Sequence, residues 1–194
     1  MEEDRIQDKK TRKGRLFVIS GPSGSGKSTF IERFLKQDKT STFSVSYTTR
    51  KKRDKEVDGR EYYFVDKKIF MDMVEKGGFL EWEVVHENLY GTPKKEIIEN
   101  LERGIDILLD VDVNGAINIK KNYPDACLIF IEPPSREELV KRLSLRGEEQ
   151  IELRLKRYDE EIEKKHIFDY TVINDNLERA YRDFEKIIEH VRGH

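Results

Sequence analysis

Residues 21–29, GPSGSGKST, combine glycine, lysine and hydroxyl side chains at the spacing G-x-x-x-x-G-K-[ST]. Such a loop can curl so that successive backbone amides face one anion, while the N-terminus of the next helix and Lys27 add positive charge. Ser28 can offer its hydroxyl to Mg²⁺. An ordinary turn between a strand and a helix would account for the glycines, but not for Lys27 and Ser28 in these two places. The pattern therefore predicts a site for a nucleoside triphosphate with magnesium, and it leaves the phosphoryl acceptor open.

A second group of basic and aromatic residues lies in SVSYTTRKKRDKEVDGREYYF, residues 44–64. Arg50 and Arg53 precede a turn at VDG, and Tyr62 follows it. This is a workable cradle for another phosphate, because the arginine fork presents several donors to one anion. Several lysines in the same run fit a solvated basic edge equally well. Spacing alone does not decide between these two interpretations.

The elements that must position these residues alternate between strand-like and helix-like patterns. The strand-like segments are apolar on both parities, as expected for a parallel sheet that is covered on both faces. The strands are predicted at 15–20, 105–112, 126–132 and 169–175, and the helices at about 27–37, 113–122, 135–165 and 176–192. The first strand and first helix flank the glycine-rich loop, which is the context that such a loop requires.

Residues 40–91 break this rhythm with β-branched and aromatic segments around one helical stretch, DKKIFMDMVEKGG. They predict a small mixed sheet inserted between the first helix and the second core strand. The chain then returns to the core through a helix, with Thr92 as its N-cap, Pro93 at the first position and Gly104 past the end.

Two later helix starts carry the capping-box pattern, in which an N-cap acceptor is followed three residues on by a carboxylate. These pairs are Ser135 with Glu138 and Asp175 with Glu178. Both patterns satisfy backbone amides that would otherwise lack a partner, so they predict helix starts and carry no information on function.

The composition bounds the class of protein. The 194 residues carry 37 Lys and Arg against 39 Asp and Glu, a net charge of −2, so nothing indicates a nucleic acid or an anionic membrane as partner. No apolar run approaches the roughly 20 residues of a membrane span. The lone Cys127 lies in an apolar run, which predicts a buried, inert thiol in a reducing compartment. We expect a cytoplasmic protein whose residues 1–13 form a flexible N-terminal extension.

Six motifs occur along the chain: GPSGSGKST, SVSYTTR with EVDGREYYFV, FLEWEVVHENLYGTP, ILLDVDVNGA, IFIEPPSREELVKRLSLRG and VINDNLERAY. In these motifs and in their order, the chain resembles the guanylate kinase family from about residue 14 to 190. The resemblance implies Mg²⁺-dependent transfer of a phosphoryl group from ATP to GMP or dGMP, in purine nucleotide metabolism. The partners it implies are these small molecules, with no nucleic acid and no membrane.

The fold class that follows is α/β. The resemblance implies a P-loop kinase core, residues 14–39 and 92–194, in which helices flank a parallel sheet. It also implies an inserted small mixed α+β lobe that binds GMP, residues 40–91, and a helical lid at about residues 142–156.

The resemblance also implies roles for individual residues. For ATP it implies the loop residues, with Asn174 near the adenine: Gly21, Pro22, Ser23, Gly24, Ser25, Gly26, Lys27, Ser28, Thr29 and Asn174. For GMP it implies Ser46, Glu81 and Thr92 at the guanine, Arg50, Arg53, Tyr62 and Tyr90 at the phosphate, and Asp112 beside the nucleotide. For Mg²⁺ it implies Ser28 and Asp110. The catalytic charges are Lys27 and Arg50 together with the lid arginines Arg142, Arg146 and Arg154.

Other function classes make different demands on these residues. A non-catalytic interaction module of related fold is expected to have lost Lys27 or part of the GMP cradle. A kinase for a phosphorylated sugar would have no use for Glu81 as an acceptor at a base edge.

The chain departs from the family pattern in a shorter path from SLRG to Arg154, which puts the role of that arginine in question. The oligomeric state, monomer or homodimer, stays open.

Overall fold

The computed structural model describes residues 12–85 and 87–193. Its strands are β1 (Leu16–Ser20), β2 (Ser41–Phe43), β3 (Tyr47–Thr48), β4 (Tyr63–Phe64), β5 (Phe79–Val85), β6 (Asn88–Pro93), β7 (Asp106–Asp110), β8 (Cys127–Glu132) and β9 (Tyr170–Ile173). Its helices are α1 (Lys27–Gln37), α2 (Lys67–Glu75), α3 (Lys94–Glu102), α4 (Val113–Asn122), α5 (Arg136–Leu145), α6 (Ile151–Glu163) and α7 (Leu177–Arg192), with a short 3₁₀ turn at Lys165–Ile167.

The core sheet has five parallel strands in the order β2-β7-β1-β8-β9. All five residues of β1 are buried, because helices cover both faces of the sheet. Leu16 and Val18 pack with residues of α3 and α4 on one face. Phe17 and Ile19 pack with α1 and α7 on the other face. The predicted α/β core with its flanking helices is therefore confirmed.

The predicted helix over residues 135–165 is wrong in the middle. The structure ends α5 at Leu145 and begins α6 at Ile151, and Gly147 between them has φ +69°. Glycine reaches this left-handed conformation without the penalty that a Cβ imposes, so it ends the helix. The segment predicted to form the lid thus comprises the end of one helix, a turn and the start of a second helix.

Two predicted N-caps are also wrong. The helix after the last core strand is capped by Asn176, whose side chain accepts from the backbone amide of Arg179 at 3.1 Å, and not by Asp175. Pro93, and not Thr92, precedes α3, because the Thr92 hydroxyl is taken by the side chain of Glu81. The Ser135 cap is confirmed, with its hydroxyl accepting from the amide of Glu138 at 3.2 Å.

The predicted mixed sheet in the insertion is confirmed as a four-stranded sheet in the order β4-β3-β6-β5. Its apolar side packs against α2, where the rings of Phe70 and Phe79 stack with centroids 4.5 Å apart. The predicted boundary at residue 40 is wrong, because β2 pairs with β7 in the core sheet. At the other end β6 continues through Pro93. The inserted lobe therefore comprises residues 44–93.

At the N-terminal edge of the core sheet, the fully buried Asp106 accepts hydrogen bonds from three donors. The Arg12 guanidinium lies 2.7 Å away, the backbone amide of Arg15 2.7 Å and the Arg192 guanidinium 2.6 Å. Arg12 and Lys13 are thus the described part of the predicted flexible extension, and the rest of residues 1–13 lies outside the described residues.

Two smaller predictions concern burial and membranes. Cys127 is buried in the core as predicted, and burial raises the pKa of its thiol to about 12. None of the helices within residues 12–85 and 87–193 has both the length and the apolar character that a membrane-spanning helix needs.

Candidate active site

The glycine-rich loop connects β1 to α1 at the C-terminal edge of the core sheet. Gly21, Gly24 and Gly26 have φ values of +131°, +92° and +106°, which side chains with a Cβ rarely adopt. No side chain caps α1, so its first amides are left for a ligand. The side-chain amide of Asn174 donates to the backbone carbonyl of Ser25 at 2.7 Å and so supports the loop. The loop thus presents a concave, positively polarised surface.

Lys27, the first residue of α1, lies beside Asp110, the last residue of β7. The Lys27 Nζ donates to the carbonyl oxygen of Gly21 at 2.5 Å and lies 3.9 Å from Oδ1 of Asp110. Burial raises the pKa of Asp110, and the charge of Lys27 opposes that shift. Ser28 is exposed, and its hydroxyl bonds no residue in the described part of the chain. A hydroxyl and a carboxylate are hard oxygen donors of the kind that Mg²⁺ prefers, so this pair fits that ion.

Arginine and tyrosine side chains form a second cradle on the inserted lobe. The Arg50 guanidinium lies 5.6 Å from the ring centre of Tyr62, and the rings of Tyr62 and Tyr90 are 5.7 Å apart. Burial, the neighbouring Tyr90 and the charge of Asp110 raise the pKa of Tyr62 to about 12. Asp110 is the last residue of the core strand β7, so its influence on Tyr62 indicates that the cradle lies near the C-terminal edge of the core sheet. The sequence did not separate this cradle from a solvated basic edge, and the structure favours the cradle.

Glu56 holds the cradle arginines. Its carboxylate pairs with both terminal nitrogens of Arg50, at 3.0 and 2.7 Å, and accepts from the backbone amide of Arg53 at 2.8 Å. Because Glu56 is an anion that pairs with Arg50 through a fork, it makes the contacts that a phosphate would make. The guanidinium of Arg53 has no such partner among the described residues.

Glu81 and Thr92 form a pocket where β5 meets β6. The two residues are paired in register, and the Thr92 hydroxyl donates to Oε1 of Glu81 at 2.6 Å. Oε2 of Glu81 is buried and bonds no group within residues 12–85 and 87–193. Burial raises the pKa of Glu81 to about 7. A buried acceptor without a partner is costly, so this oxygen is available for a donor on a ligand.

Two further residues with a predicted role in GMP binding, Asp112 and Ser46, lie at the start of α4 and just before β3. Asp112 is the N-cap of α4 and accepts from the amide of Gly115 at 2.8 Å. A Cβ at Gly115 would lie 3.6 Å from Oε2 of Glu81, so α4 closes the pocket. Ser46 precedes β3 and bonds Tyr63 through its backbone carbonyl, at 2.9 Å. The structure therefore brings Glu81, Thr92 and Asp112 together, and Ser46 directly precedes β3, the strand that pairs with β6.

The lid arginines have three different environments. Arg142 donates to the carbonyl of Asn174 at 2.8 Å, which fixes it to the core beside the glycine-rich loop. Arg154 pairs with Glu148 at 3.3 Å. The guanidinium of Arg146 forms neither a hydrogen bond nor an ion pair with the part of the chain that the structure describes. A hydrogen bond from the amide of Gln150 and the charges of Arg154 and Arg53 lower the pKa of Glu148, so the lid turn faces the inserted lobe.

The sequence model of the guanylate kinase family matches residues 13–191. The chain belongs to the guanylate kinase family. A guanylate kinase of Carboxydothermus hydrogenoformans is 44% identical over 179 residues, which are 91% of this chain and 88% of that protein. One of Thermus thermophilus is 45% identical over 182 residues, 92% of this chain and 81% of that protein. The crystal structure of guanylate kinase from Anaplasma phagocytophilum matches with a TM-score of 0.78 and 31% identity, covering 94% of this chain and 88% of the other.

Membership of the guanylate kinase family confirms the resemblance, the fold class and the enzyme class that the motifs predict, an ATP:GMP phosphotransferase. The roles of individual residues stay predictions. Sequence reasoning missed three carboxylates at the cleft: Glu56, Glu83 and Glu161. For Glu83 a signal was present, since it follows Glu81 by two residues and must share its face of the strand.

Proposed function

We propose that this enzyme transfers the γ-phosphoryl group of Mg-ATP to GMP and to dGMP, giving ADP and GDP or dGDP, as a step of purine nucleotide metabolism. The observation that carries the proposal is the convergence of two anion sites on Asp110. Lys27 lies 3.9 Å from its carboxylate, and the charge of Asp110 also helps to raise the pKa of Tyr62 in the second cradle. Donor and acceptor phosphates would then meet at one edge of the sheet.

The reaction requires no dedicated base. The attacking group is an oxygen of the GMP phosphate, whose second pKa is about 6, so it is already anionic near neutral pH. The difficulty is to bring two polyanions together and to stabilise charge on the transferred group. Lys27 and the lid arginines would provide positive charge on the ATP side, and Arg50 would do so at the acceptor. Ser28 and Asp110 would hold Mg²⁺, which neutralises charge on the phosphate oxygens.

Guanine would be read by Glu81. The base presents two donors on one edge, N1–H and the 2-amino group, and an ionised carboxylate can accept both. The buried Oε2 of Glu81 supports this role because no described residue uses it. Adenine would aim a lone pair at the same carboxylate and leave it unpaired, so AMP should be rejected by a factor on the order of 10⁴.

An acceptor screen tests the proposal. Mg-ATP is supplied with GMP, dGMP, IMP, AMP, CMP, UMP or ribose 5-phosphate, and ADP formation is measured. We expect ADP with GMP and dGMP, a weak signal with IMP, which keeps N1–H but lacks the 2-amino group, and none without an acceptor. The same rates are measured for Glu81→Gln, which should use GMP less well. Glu75→Gln, a matched change at an exposed residue of the same lobe, is the control. Equal turnover of GMP and AMP by the wild-type enzyme would refute the proposal.

A further inference from the structure

Asn174 follows the last strand of the core sheet and lies against the glycine-rich loop, where only 6% of its surface is exposed. Its backbone amide donates to the carbonyl of Glu132 at 2.8 Å, and its backbone carbonyl accepts from the Arg142 guanidinium at 2.8 Å. Its side-chain amide donates to the backbone carbonyl of Ser25 at 2.7 Å. Asn174 is therefore fixed to β8 and α5, and it fixes the loop in turn.

The bond to Ser25 sets the direction of one peptide unit in the loop. The unit between Ser25 and Gly26 is trans, so its carbonyl and its amide point in opposite directions. Because the carbonyl points to the buried Asn174, the Gly26 amide points to the opposite side of the loop. This amide bonds no acceptor within residues 12–85 and 87–193. An amide held in this way at the start of a helix is a donor that an anion can use.

The packing of Asn174 on Gly26 restricts this arrangement further. A Cβ at residue 26 would overlap the side-chain nitrogen of Asn174, so only glycine leaves room for the bond. Ser25 is fully buried, and its backbone amide donates to the carbonyl of Pro22 at 3.1 Å. The turn that leads into Lys27 is thus fixed by a bond within the loop and by the bond from Asn174.

We propose that Asn174 is a positioning residue for the triphosphate: its side-chain amide turns the Ser25 carbonyl away from the ligand and so directs the Gly26 amide to the phosphates of ATP. The proposal rests on the proposed function, because it takes the glycine-rich loop as the site of the ATP phosphates. This role depends on the phosphates, whereas the family resemblance implies a place for Asn174 near the adenine. The two roles make different predictions for a ligand that has no base.

Inorganic tripolyphosphate has the phosphates without the adenosine, so its binding separates the two roles. Calorimetry measures the Kd of Mg-tripolyphosphate, Mg-ATP and GMP for each variant. Asn174→Ala should raise the Kd of tripolyphosphate and of ATP by the same factor, on the order of tenfold, because a buried hydrogen bond that orients the loop is lost. The Kd of GMP should not change, since the predicted GMP contacts of the cradle lie on the inserted lobe. Asn176→Asp, an exposed change that keeps an acceptor for the Arg179 amide, should leave all three values unchanged.

A second variant tests whether the donor of Asn174 is the group that matters. Asn174→Asp keeps the shape of the side chain, but an ionised carboxylate cannot donate to the Ser25 carbonyl. A protonated carboxyl can donate, so the affinity of Asn174→Asp for tripolyphosphate should approach that of the wild type as the pH falls to about 5. Asn174→Ala has no donor at any pH and should show no such recovery. Protonation of tripolyphosphate is common to all variants, so the ratio to wild type is the quantity compared.

The failures of the two proposals are distinguishable. If the wild type forms no ADP from Mg-ATP and GMP in the acceptor screen, the proposed function is wrong. If it does, but folded Asn174→Ala loses affinity for ATP and not for tripolyphosphate, the side chain serves the adenine and the positioning role is overturned. Equal affinities of Asn174→Asp and Asn174→Ala at low pH would overturn it as well, and so would an equal loss of affinity for GMP.

Discussion

Among the residues of the site, loss of the Lys27 side chain should lower kcat the most. Its ammonium group lies between the Gly21 carbonyl and Asp110, at the mouth of the glycine-rich loop. Lys27→Ala should lower kcat by a factor of about 10² or more, which corresponds to about 3 kcal/mol for the loss of a preorganised charge at the transferred group. Steady-state kinetics with GMP saturating measure this. Lys36→Ala, at an exposed position of the same helix, is the control. Wild-type turnover in Lys27→Ala would show that Lys27 and its loop do not contribute to phosphoryl transfer.

Glu81 should set the acidic side of the pH profile. Burial raises its pKa to about 7, so the carboxyl is increasingly protonated as the pH falls below that value. A protonated Glu81 offers one acceptor fewer to the two donors of guanine, so kcat/KM for GMP should fall as the pH decreases through about 7. The GMP phosphate, with its second pKa of about 6, contributes a separate fall at lower pH.

Glu81→Gln separates those two groups. It should remove the limb near pH 7 and leave the limb of the phosphate, weaken GMP by about 1–3 kcal/mol, and narrow the gap between GMP and AMP. The measurement is kcat/KM for both nucleotides across the pH range. If discrimination and profile are unchanged, guanine is read elsewhere, with Thr92 and Ser46 as the next candidates.

The sequence alone predicted those site residues that belong to a local pattern. The loop of residues 21–29 needs only its own glycines and the flanking strand and helix, so its position follows directly from the motif. Glu56 could not be found this way, because its contact with Arg50 depends on how the turn between them folds. The place of Glu83 on the same face as Glu81 follows from their spacing, but which elements pack near that face depends on long-range packing.

At the scale of elements, we expect the inserted lobe to serve the binding of GMP and the predicted lid to serve the chemical step. Arg53 lies in the lobe, and its guanidinium is available to an acceptor phosphate before and during transfer. Arg53→Ala should therefore mainly raise KM for GMP. Arg146 lies at the lid turn, so it should act on charge that develops in the transition state, and Arg146→Ala should mainly lower kcat.

Initial-rate kinetics with each substrate varied distinguish the two variants. Lys156→Ala, at an exposed position of α6 within the predicted lid, serves as a control for the loss of a lid charge. An Arg146→Ala enzyme that keeps its kcat but binds GMP weakly would show that the lid assignment is wrong.

Element boundaries illustrate where sequence patterns fail. The helices at 27–37 and 113–122 were predicted to the residue because strong breakers or a capping aspartate delimit them. The helical pattern over 135–165 continues through the lid turn, since Glu, Gln and Arg around Gly147 are all good helix formers. Only the left-handed conformation of that glycine reveals the break, and a Cβ there would meet nothing within 4 Å.

At the scale of the whole molecule, the C-terminal ends of the core strands carry the candidate site, whereas their N-terminal ends carry contacts that stabilise the fold. Parallel strands place all their C-terminal ends at one edge, and that edge carries the glycine-rich loop, Asp110 and Asp112. The opposite edge carries Asp106, at the start of the same strand that ends in Asp110. There the buried carboxylate ties the last helix and the N-terminal segment to the sheet. Changes at that edge should affect stability without affecting the reaction.

Arg192→Ala tests this separation. The Arg192 guanidinium bonds Asp106 at 2.6 Å and also pairs with Asp38, so its loss leaves a buried carboxylate with fewer donors. Because Arg12 and the amide of Arg15 still bond Asp106, the free energy of unfolding should fall by about 2 kcal/mol, less than for an uncompensated buried charge. Lys186→Ala, at an exposed position of the same helix, should change it by less than about 0.5 kcal/mol. Urea denaturation measures both, and kinetics measured on the folded enzyme should match the wild type. A loss of GMP affinity in Arg192→Ala would mean that the two edges are coupled through β7.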